Sequence, residues 1–234
     1  MKPFLPIRAL AYDYDETLAC QGRVAPSTIA ALSRFHASGG KMVLITGREL
    51  NDLQSVSPDL HCFDLVVAEN GALLFHPASG EAEALAGQPP EAFVRRLRQR
   101  GVRPLSVGRS IVATVRLHYD TVSETIADMR LHLATILNRS SLMILPAGVH
   151  KGTGLMVALA KLRIPAAQVA GIGDAENDEP FLSLCGYSVA VANAIPAIKQ
   201  SADLVTDGAC GDGVIETIDR VLAGDLCGTQ AHHW

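Results

Sequence analysis

The sequence predicts an α/β protein with a Rossmann-like parallel-sheet core and a small α/β domain inserted into it. Short apolar runs alternate with helical segments at the spacing of βαβ units, which is typical of a parallel sheet. The alternation stops at the breaker cluster Gly87–Pro90 and resumes at Lys151, which indicates an insertion between them. We therefore expect a core formed by residues 1–76 and 148–234, with an inserted domain at 77–147.

The first half of the core is predicted from apolar runs of strand length that end in polar residues. The stretch Ile7–Thr17 begins as such a run and ends with two acids, Asp13 and Asp15. Pro26 and Ser27 open a helix in which apolar residues recur at helical spacing. The other elements predicted here are strands at Met42–Ile45, Leu65–Ala68 and Ala72–Phe75, and a helix at Leu50–Ser55.

The elements of the insert and of the second half of the core are predicted from the same helical and strand spacings of apolar residues. In the insert we expect a helix at Glu91–Arg100, strands at Ile111–Leu117 and Leu142–Leu145, and a longer helix whose core face is Val122, Ile126, Met129, Leu133 and Ile136. After Lys151 we expect helices at Leu155–Leu162, Phe181–Leu184, Ile195–Ala202 and Gly213–Leu222, and strands at Val169–Ile172, Tyr187–Ala192 and Leu204–Val205. Gly224–Trp234, with His232 and His233, is predicted to be a tail without a metal site.

Composition excludes several classes of protein. Of 234 residues, 48% are hydrophobic and 19% are charged, which is typical of a globular chain. The net charge of -4 gives no reason to expect nucleic acid or an anionic membrane as a partner. No apolar run approaches the roughly 20 residues that span a bilayer, and no signal peptide precedes the first strand. Five widely spaced cysteines without a C-x-x-C pair are explained better by reduced thiols in a cytoplasmic protein than by disulfides or a zinc site.

Polar residues gather where the predicted parallel strands end. Right-handed crossovers place the loops after these strands at one edge of the sheet, so residues far apart in sequence are expected to meet there. Carboxylates at two neighbouring strand ends suit Mg²⁺, and a set without cysteine or histidine argues against zinc. A threonine hydroxyl and a lysine supply the hydrogen-bond donor and the positive charge that a phosphoryl oxygen needs. The residues concerned are Asp13, Asp15, Thr46, Lys151, Asp174, Asn177 and Asp178.

This set of groups predicts attack on a phosphate monoester. An anionic nucleophile is repelled by phosphate unless a cation and a lysine neutralise the phosphoryl oxygens. The Asp13 carboxylate can then attack in line to give an aspartyl-phosphate. Asp15, two residues further on, is placed to protonate the leaving alkoxide and later to take a proton from water.

Four motifs resemble those of the haloacid dehalogenase (HAD) superfamily. D-Y-D-E-T resembles its first motif, I-T-G-R its second, Lys151 its third and G-D-A-E-N-D its fourth. The resemblance covers the whole chain except the tail and implies the HAD fold, with the insert as a C2-type cap. It places the chain near the Cof-type phosphatases, the sucrose-phosphate phosphatases and the archaeal phosphoglycolate phosphatases.

The resemblance also implies a role for each residue of the motifs. Asp13 would be the nucleophile and Asp15 the general acid and base. Mg²⁺ would be held by Asp13, the backbone carbonyl of Asp15 and Asp174, with Asp178 in or next to that shell. Phosphate would be bound by Thr46, Gly47 and Lys151, with Asn177 supporting Lys151 or the phosphate.

One position departs from the family pattern. The residue before Thr17 is usually glycine in this superfamily, and here it is Glu16. Glycine commonly serves a backbone conformation that other residues adopt at a cost. Glu16 is therefore expected to slow turnover if its charge points into the site.

The partner that the sequence predicts is a small phosphorylated molecule, such as a sugar phosphate or phosphoglycolate. Arg48 follows the phosphate-binding threonine and could bind a second anionic or hydroxyl-rich group. The arginine-rich helix Glu91–Arg100, Arg109 and Arg116 are the alternatives in the insert. A phosphotransferase or phosphomutase on the same scaffold, and a weakly active regulatory or binding module, are the other functions that the sequence leaves open.

Overall fold

The protein, described by a computed structural model for residues 5–57 and 59–228, has a core sheet of eight strands. The first six strands of the sheet run parallel, and the last two are joined to it by antiparallel pairing. This confirms the predicted α/β class with a parallel core. In spatial order the strands are Leu204–Val205, Tyr187–Ala190, Val169–Gly173, Ala9–Asp13, Lys41–Ile45, Leu65–Ala68, Leu73–His76 and Glu81–Ala84.

Helices connect the parallel strands and cover the sheet. Pro26–Ala37 packs against Gly211–Ala223, and Lys151–Leu162 packs against the short helix Glu179–Leu182. Strands covered in this way are apolar over most of their length, and every residue of Ala9–Asp13 is buried. The remaining core helices are Leu50–Val56 and Pro196–Ser201, with single 3₁₀ turns at Leu60–Cys62, Glu69–Gly71, Ala166–Gln168 and Glu176–Asp178. No helix within residues 5–57 and 59–228 is long and apolar enough to cross a bilayer.

The order of the strands fixes where the polar residues meet. Ala9–Asp13 lies between Val169–Gly173 and Lys41–Ile45, which come from opposite ends of the sequence. Chain order therefore reverses beside this strand, and such a switch point opens a crevice at the carboxyl ends of the strands. Asp13 ends its strand, and Thr46 and Asp174 directly follow the two neighbouring strands.

The insert has its own sheet and its own apolar core. Its four antiparallel strands pack with two helices, and residues such as Phe93, Leu97 and Val122 form a buried cluster between them. In spatial order the strands are Ser106–Val107, Val112–Val115, Ser141–Pro146 and Leu133–Asn138, and the helices are Glu91–Gln99 and Tyr119–Asp128, with a 3₁₀ turn at Arg116–His118.

The long helix predicted from Val122 to Ile136 is wrong. The helix ends at Asp128, and Leu133 and Ile136 lie on a strand paired with Ser141–Pro146. A Schellman motif terminates it, because Arg130 turns into the left-handed region (φ 51°) and the N–H of Leu131 bonds to the carbonyl of Ile126 at 3.0 Å. Helical spacing continued by chance across this turn into the strand.

The lower boundary of the insert is a matter for a proposal. Residue 77 was expected to begin the insert, but the strand Glu81–Ala84 pairs with Leu73–His76 in the core sheet. Its hydrogen bonds belong to the core, and we propose that the insert begins after Ala84. The predicted tail with His232 and His233 lies outside the described residues after position 228.

A buried glutamate of the core holds the insert in place. Glu69 is 1% exposed and has φ 51°, a left-handed conformation that is uncommon for this residue. Its carboxylate accepts the N–H groups of Arg109, Ser110 and Ile111 at 2.9, 2.6 and 3.1 Å. Three amide donors compensate the buried charge, so the insert loop is anchored over the strand ends of the core.

Candidate active site

A buried lysine joins two of the predicted acids. Lys151 Nζ lies 2.5 Å from Asp13 Oδ1 and 2.6 Å from Asp178 Oδ1, and the side chains of Lys151 and Asp178 are fully buried. One positive and two negative charges thus meet out of contact with water. Buried charges are stable only when paired, so the three groups depend on one another.

The start of the helix Lys151–Leu162 fixes the position of this lysine. His150 caps the helix: its Nδ1 accepts the N–H of Thr153, and its own N–H donates to Thr153 Oγ1 at 3.1 Å. A Cβ at Gly152 would lie 2.4 Å from the carbonyl oxygen of Pro180, so only glycine lets the helix lie this close to its neighbour. Lys151 is consequently held at the first turn of the helix, where the helix dipole favours anions.

Burial and the neighbouring acids shift the pKa values of this group. Burial, and after it the charge of Asp178, raise the pKa of Asp13 well above its usual value, although Lys151 opposes them. Burial alone would lower the pKa of Lys151, but Asp13 and Asp178 outweigh it and raise that pKa above 10.5. Lys151 is therefore a permanent cation at neutral pH.

Asp174 completes a cluster that could hold a cation. Single oxygens of Asp13, Asp174 and Asp178 lie within 4.8 Å of one another. Asp174 accepts a hydrogen bond from Thr17 Oγ1 at 2.8 Å and pairs with the Arg139 guanidinium of the insert. Burial, and after it the charge of Asp178, raise the pKa of Asp174, although Arg139 and Thr17 oppose them. Three carboxylates without a nitrogen or sulfur donor fit a hard divalent cation.

Asp178 is more fully engaged than the other two acids. Its Oδ2 accepts the N–H groups of Asp174 and Ala175 at 2.8 and 2.9 Å, while its Oδ1 accepts from Lys151. These bonds shape the loop after Val169–Gly173 and hold the lysine. The role of Asp178, in the shell of a cation or next to it, stays a prediction.

The loop after Lys41–Ile45 supplies the predicted phosphate-binding groups. Thr46 is buried, and its Oγ1 accepts the N–H of Arg48 at 3.1 Å. A Cβ at Gly47 would come within 3.0 Å of Met143 Sδ in the insert, so glycine allows the insert to approach here. The Arg48 guanidinium binds both oxygens of Asp15, at 2.7 and 2.8 Å, and reaches Asp52 at 2.6 Å. Substrate binding by Arg48 remains a prediction, since two acids hold it.

Two buried amides face each other beside these residues. Asn177 Nδ2 donates to Asn70 Oδ1 at 3.0 Å. Asn177 Oδ1 and Asn70 Nδ2 are buried and have no hydrogen-bond partner within the described part of the chain. Orphaned buried polar atoms at such a place are available to a ligand.

A cavity of about 390 Å³ opens between the core and the insert. Core residues Asp13, Asp15, Gly47, Arg48 and Asp52 line it, and the insert contributes Ala113, Asn138, Arg139, Ser140, Ser141 and Met143. Of the arginines considered from the sequence, Arg48 lines this cavity, and those of the insert do not. Arg109 borders a cavity near Glu69, and Arg95 and Arg98 border a third cavity. The insert therefore offers Arg139, which the sequence reasoning missed.

Comparisons with known proteins agree with the geometry. The family model of the haloacid dehalogenase-like hydrolases matches residues 10–96 and 113–218. The chain is 30% identical over 227 residues to phosphoglycolate phosphatase 2 of Saccharolobus solfataricus, covering 93% of each chain. It is 32% identical to the phosphoglycolate phosphatase of Pyrobaculum aerophilum, covering 94% of this chain and 98% of that one.

The fold is also that of a solved structure of the superfamily. A sugar phosphatase of HAD subclass IIB superimposes with a TM-score of 0.75 at 20% identity, covering 91% of this chain and 98% of that one. Fold and site together define a hydrolase of the HAD type. The chain belongs to the haloacid dehalogenase-like hydrolases and is a Cof-type phosphatase.

Proposed function

We propose that the protein is a Mg²⁺-dependent phosphatase of small phosphorylated metabolites that works through an aspartyl-phosphate on Asp13. The observation that carries the proposal is the buried contact of Lys151 with Asp13 and Asp178, beside Asp174. A buried lysine between two acids opposes the rise in the pKa of Asp13 that burial and Asp178 cause, and so favours the carboxylate form of the nucleophile. The cavity at Asp13 gives a phosphoryl group access to it.

In this mechanism Asp13 attacks phosphorus in line and expels the alkoxide. Lys151 lies beside the attacking carboxylate and binds the phosphoryl oxygens, together with Thr46 and the Gly47 amide. Asp13, Asp174 and the backbone carbonyl of Asp15 would hold Mg²⁺, with Asp178 adjacent. Bound there, Mg²⁺ would supply further positive charge to the phosphoryl oxygens.

Asp15 handles the protons in this scheme. Its carboxylate lines the cavity and is oriented by the two-pronged contact with Arg48. It protonates the leaving oxygen and then takes a proton from the water that cleaves the acyl phosphate. Arg48 therefore positions Asp15 until substrate enters and competes for the guanidinium.

Phosphoglycolate is the first candidate substrate, and the tip of the insert supports this choice. Arg139 lies in the two-residue turn between Leu133–Asn138 and Ser141–Pro146, at the cavity. Its guanidinium pairs with Asp174, one of the residues that would hold Mg²⁺. At this position in the cavity, the same guanidinium would bind a substrate carboxylate near the phosphate. Relatives named phosphoglycolate phosphatases fit this substrate, whereas the structural neighbour named a sugar phosphatase makes sugar phosphates the alternative.

We expect Arg139→Gln to raise KM for phosphoglycolate about 10- to 100-fold, the range of a charged hydrogen bond. An aryl phosphate without a carboxylate should show little change in KM, because it does not use the guanidinium. Arg116→Gln is the matched control, since Arg116 does not line the cavity. Equal effects of Arg139→Gln on both substrates would argue against a carboxylate-binding role.

The proposed function is tested by phosphate release from phosphoglycolate, sugar phosphates and an aryl phosphate, with Mg²⁺ and with chelator. We expect Mg²⁺-dependent release, and a sharply weaker response to Mg²⁺ in Asp174→Ala. The oxygen of labelled water should appear in the inorganic phosphate. Transfer of the phosphoryl group to an added sugar would instead indicate a phosphotransferase. Absence of activity above an Asp13→Asn control would leave a regulatory or binding role instead.

A cytoplasmic location is a further part of the proposal. Cys20, Cys62, Cys185 and Cys210 carry free thiols, as expected in a reducing compartment.

A further inference from the structure

Three metal-binding side chains meet outside the proposed catalytic machinery. One oxygen of Glu16 and the sulfurs of Cys20 and Cys210 all lie within 4.8 Å of one another. Glu16 Oε2 is 4.0 Å from Cys210 Sγ. This group, here called the thiol cluster, joins the loop after Asp13 to the start of the helix Gly211–Ala223.

Two members of the thiol cluster adopt backbone conformations that favour glycine. Glu16 has φ 61°, which accounts for the glycine that the superfamily usually has at this position. Cys210 has φ 48° and ψ -130°, a combination that is rare for residues with a side chain. Each of these backbone conformations costs free energy that glycine would avoid. The two side chains retained in spite of this cost meet in the thiol cluster.

A cavity beside the thiol cluster contains an unpartnered polar atom. The cavity measures about 200 Å³ and is lined by Cys20, Cys210 and Thr28, among others. Thr28 is fully buried, and its Oγ1 has no hydrogen-bond partner within the described part of the chain. A buried hydroxyl without a partner costs free energy, which a water or ligand in the cavity would remove.

We propose that the thiol cluster is a binding site for a thiophilic divalent cation, with Zn²⁺ as its natural occupant. Cys20 and Cys210 would bind as thiolates, releasing their protons to solvent, and Glu16 would bind through one carboxylate oxygen. A water in the cavity, hydrogen-bonded to Thr28, would complete a tetrahedral set. Two sulfur ligands select Zn²⁺ over Mg²⁺, whereas the oxygen-only cluster at Asp174 does the opposite.

This site is coupled to the catalytic loop through the backbone. Glu16 lies between Asp15 and Thr17, and Thr17 donates a hydrogen bond to Asp174. Asn193 accepts the N–H of Cys210 at 2.8 Å and donates to the carbonyl of Glu16 at 2.7 Å. A cation in the thiol cluster therefore fixes the loop that presents Asp15. The proposal does not depend on the identity of the substrate.

The test uses Co²⁺ as a spectroscopic probe for Zn²⁺, in reduced full-length protein with saturating Mg²⁺ at the acidic site. We expect one equivalent of Co²⁺ to give a thiolate-to-metal charge-transfer band, which Zn²⁺ abolishes. Cys20→Ser and Cys210→Ser should lose the band and bind Zn²⁺ at least about tenfold more weakly. Cys62→Ser is the matched control, because Cys62 is a free thiol outside the cluster.

Folding of the variants is followed by thermal denaturation. Glu16→Gly should weaken Zn²⁺ binding while raising Tm of the metal-free protein, since it relieves the left-handed strain. Zn²⁺ should raise Tm of the wild type more than that of this variant. A band that survives in both cysteine variants would overturn the proposal. So would a reduced protein that binds no Co²⁺ while the oxidised protein forms a Cys20–Cys210 disulfide.

Discussion

Replacing Asp13 by asparagine is expected to lower kcat/KM by about 10⁴-fold or more, the order of loss seen when a catalytic nucleophile is removed. Asparagine keeps the shape of the side chain but cannot form the acyl phosphate. Lys151 would retain Asp178 as its partner at 2.6 Å, so the lysine stays neutralised and the site should remain folded. The measurement is phosphate release under single-turnover conditions, with trapping of the phosphoenzyme in the wild type.

The same variant should be more stable than the wild type when a chelator is present. Asp13 has a raised pKa, so the folded protein binds more protons than the unfolded one above pH 3.8, and wild-type stability falls as pH rises from there. Asp13→Asn removes this loss, and we expect a gain of about 1 kcal/mol at neutral pH in urea unfolding. Asp219→Asn, in an exposed pair with Arg34, is the control. Retained turnover, or a metal-free protein that is less stable, would contradict the role given to Asp13.

The core could be predicted from sequence because its strands are buried on both faces. Within these strands, residues 9–12 and 42–45 are continuous apolar runs, and each run ends where the polar residues begin. The handedness of the crossovers then brings Asp13, Thr46 and Asp174 to one edge without knowledge of any contact. Glu69 shows the limit of this reasoning, because only the folded chain reveals that it binds three amides of the insert.

The insert was predicted less well, for a physical reason that also explains the missed arginine. The strand Leu133–Asn138 is half-buried along its whole length, so its pattern is weak, and Leu133 and Ile136 continued a helical spacing by chance. Because a helix is predicted across this segment, the turn at Arg139 is not recognised from the sequence. That turn places the Arg139 guanidinium at the cavity. The sequence therefore pointed to Arg109, Arg116 and the helix Glu91–Arg100, whose positions relative to the core depend on the sheet of the insert.

Replacing Lys151 by methionine is expected to destabilise the metal-free protein by about 3–5 kcal/mol, the cost of leaving buried charges without a partner. Methionine fills much of the same volume, so the effect would come from charge. Asp13 and Asp178 would remain buried with no cation between them. Phosphate release should fall by about 10²-fold or more, because the phosphoryl oxygens lose their lysine. Urea unfolding with chelator, and steady-state kinetics with Mg²⁺, measure the two effects.

Lys161→Met is the control, because Lys161 lies on the same helix in an exposed pair with Glu83 and should change stability little. The double variant Lys151→Met with Asp178→Asn should be less unstable than additivity predicts, since it leaves one buried acid instead of two.

The direction of the pH dependence is fixed by the raised pKa of Lys151. The stability that Lys151 gives the folded protein is fully present below pH 10.5. It is lost as pH rises through the pKa of Lys151 in the folded state. At low pH the gap to the variant should narrow, because Asp13 can then fold protonated. A gap that is constant across pH would show that Lys151 stabilises by packing alone.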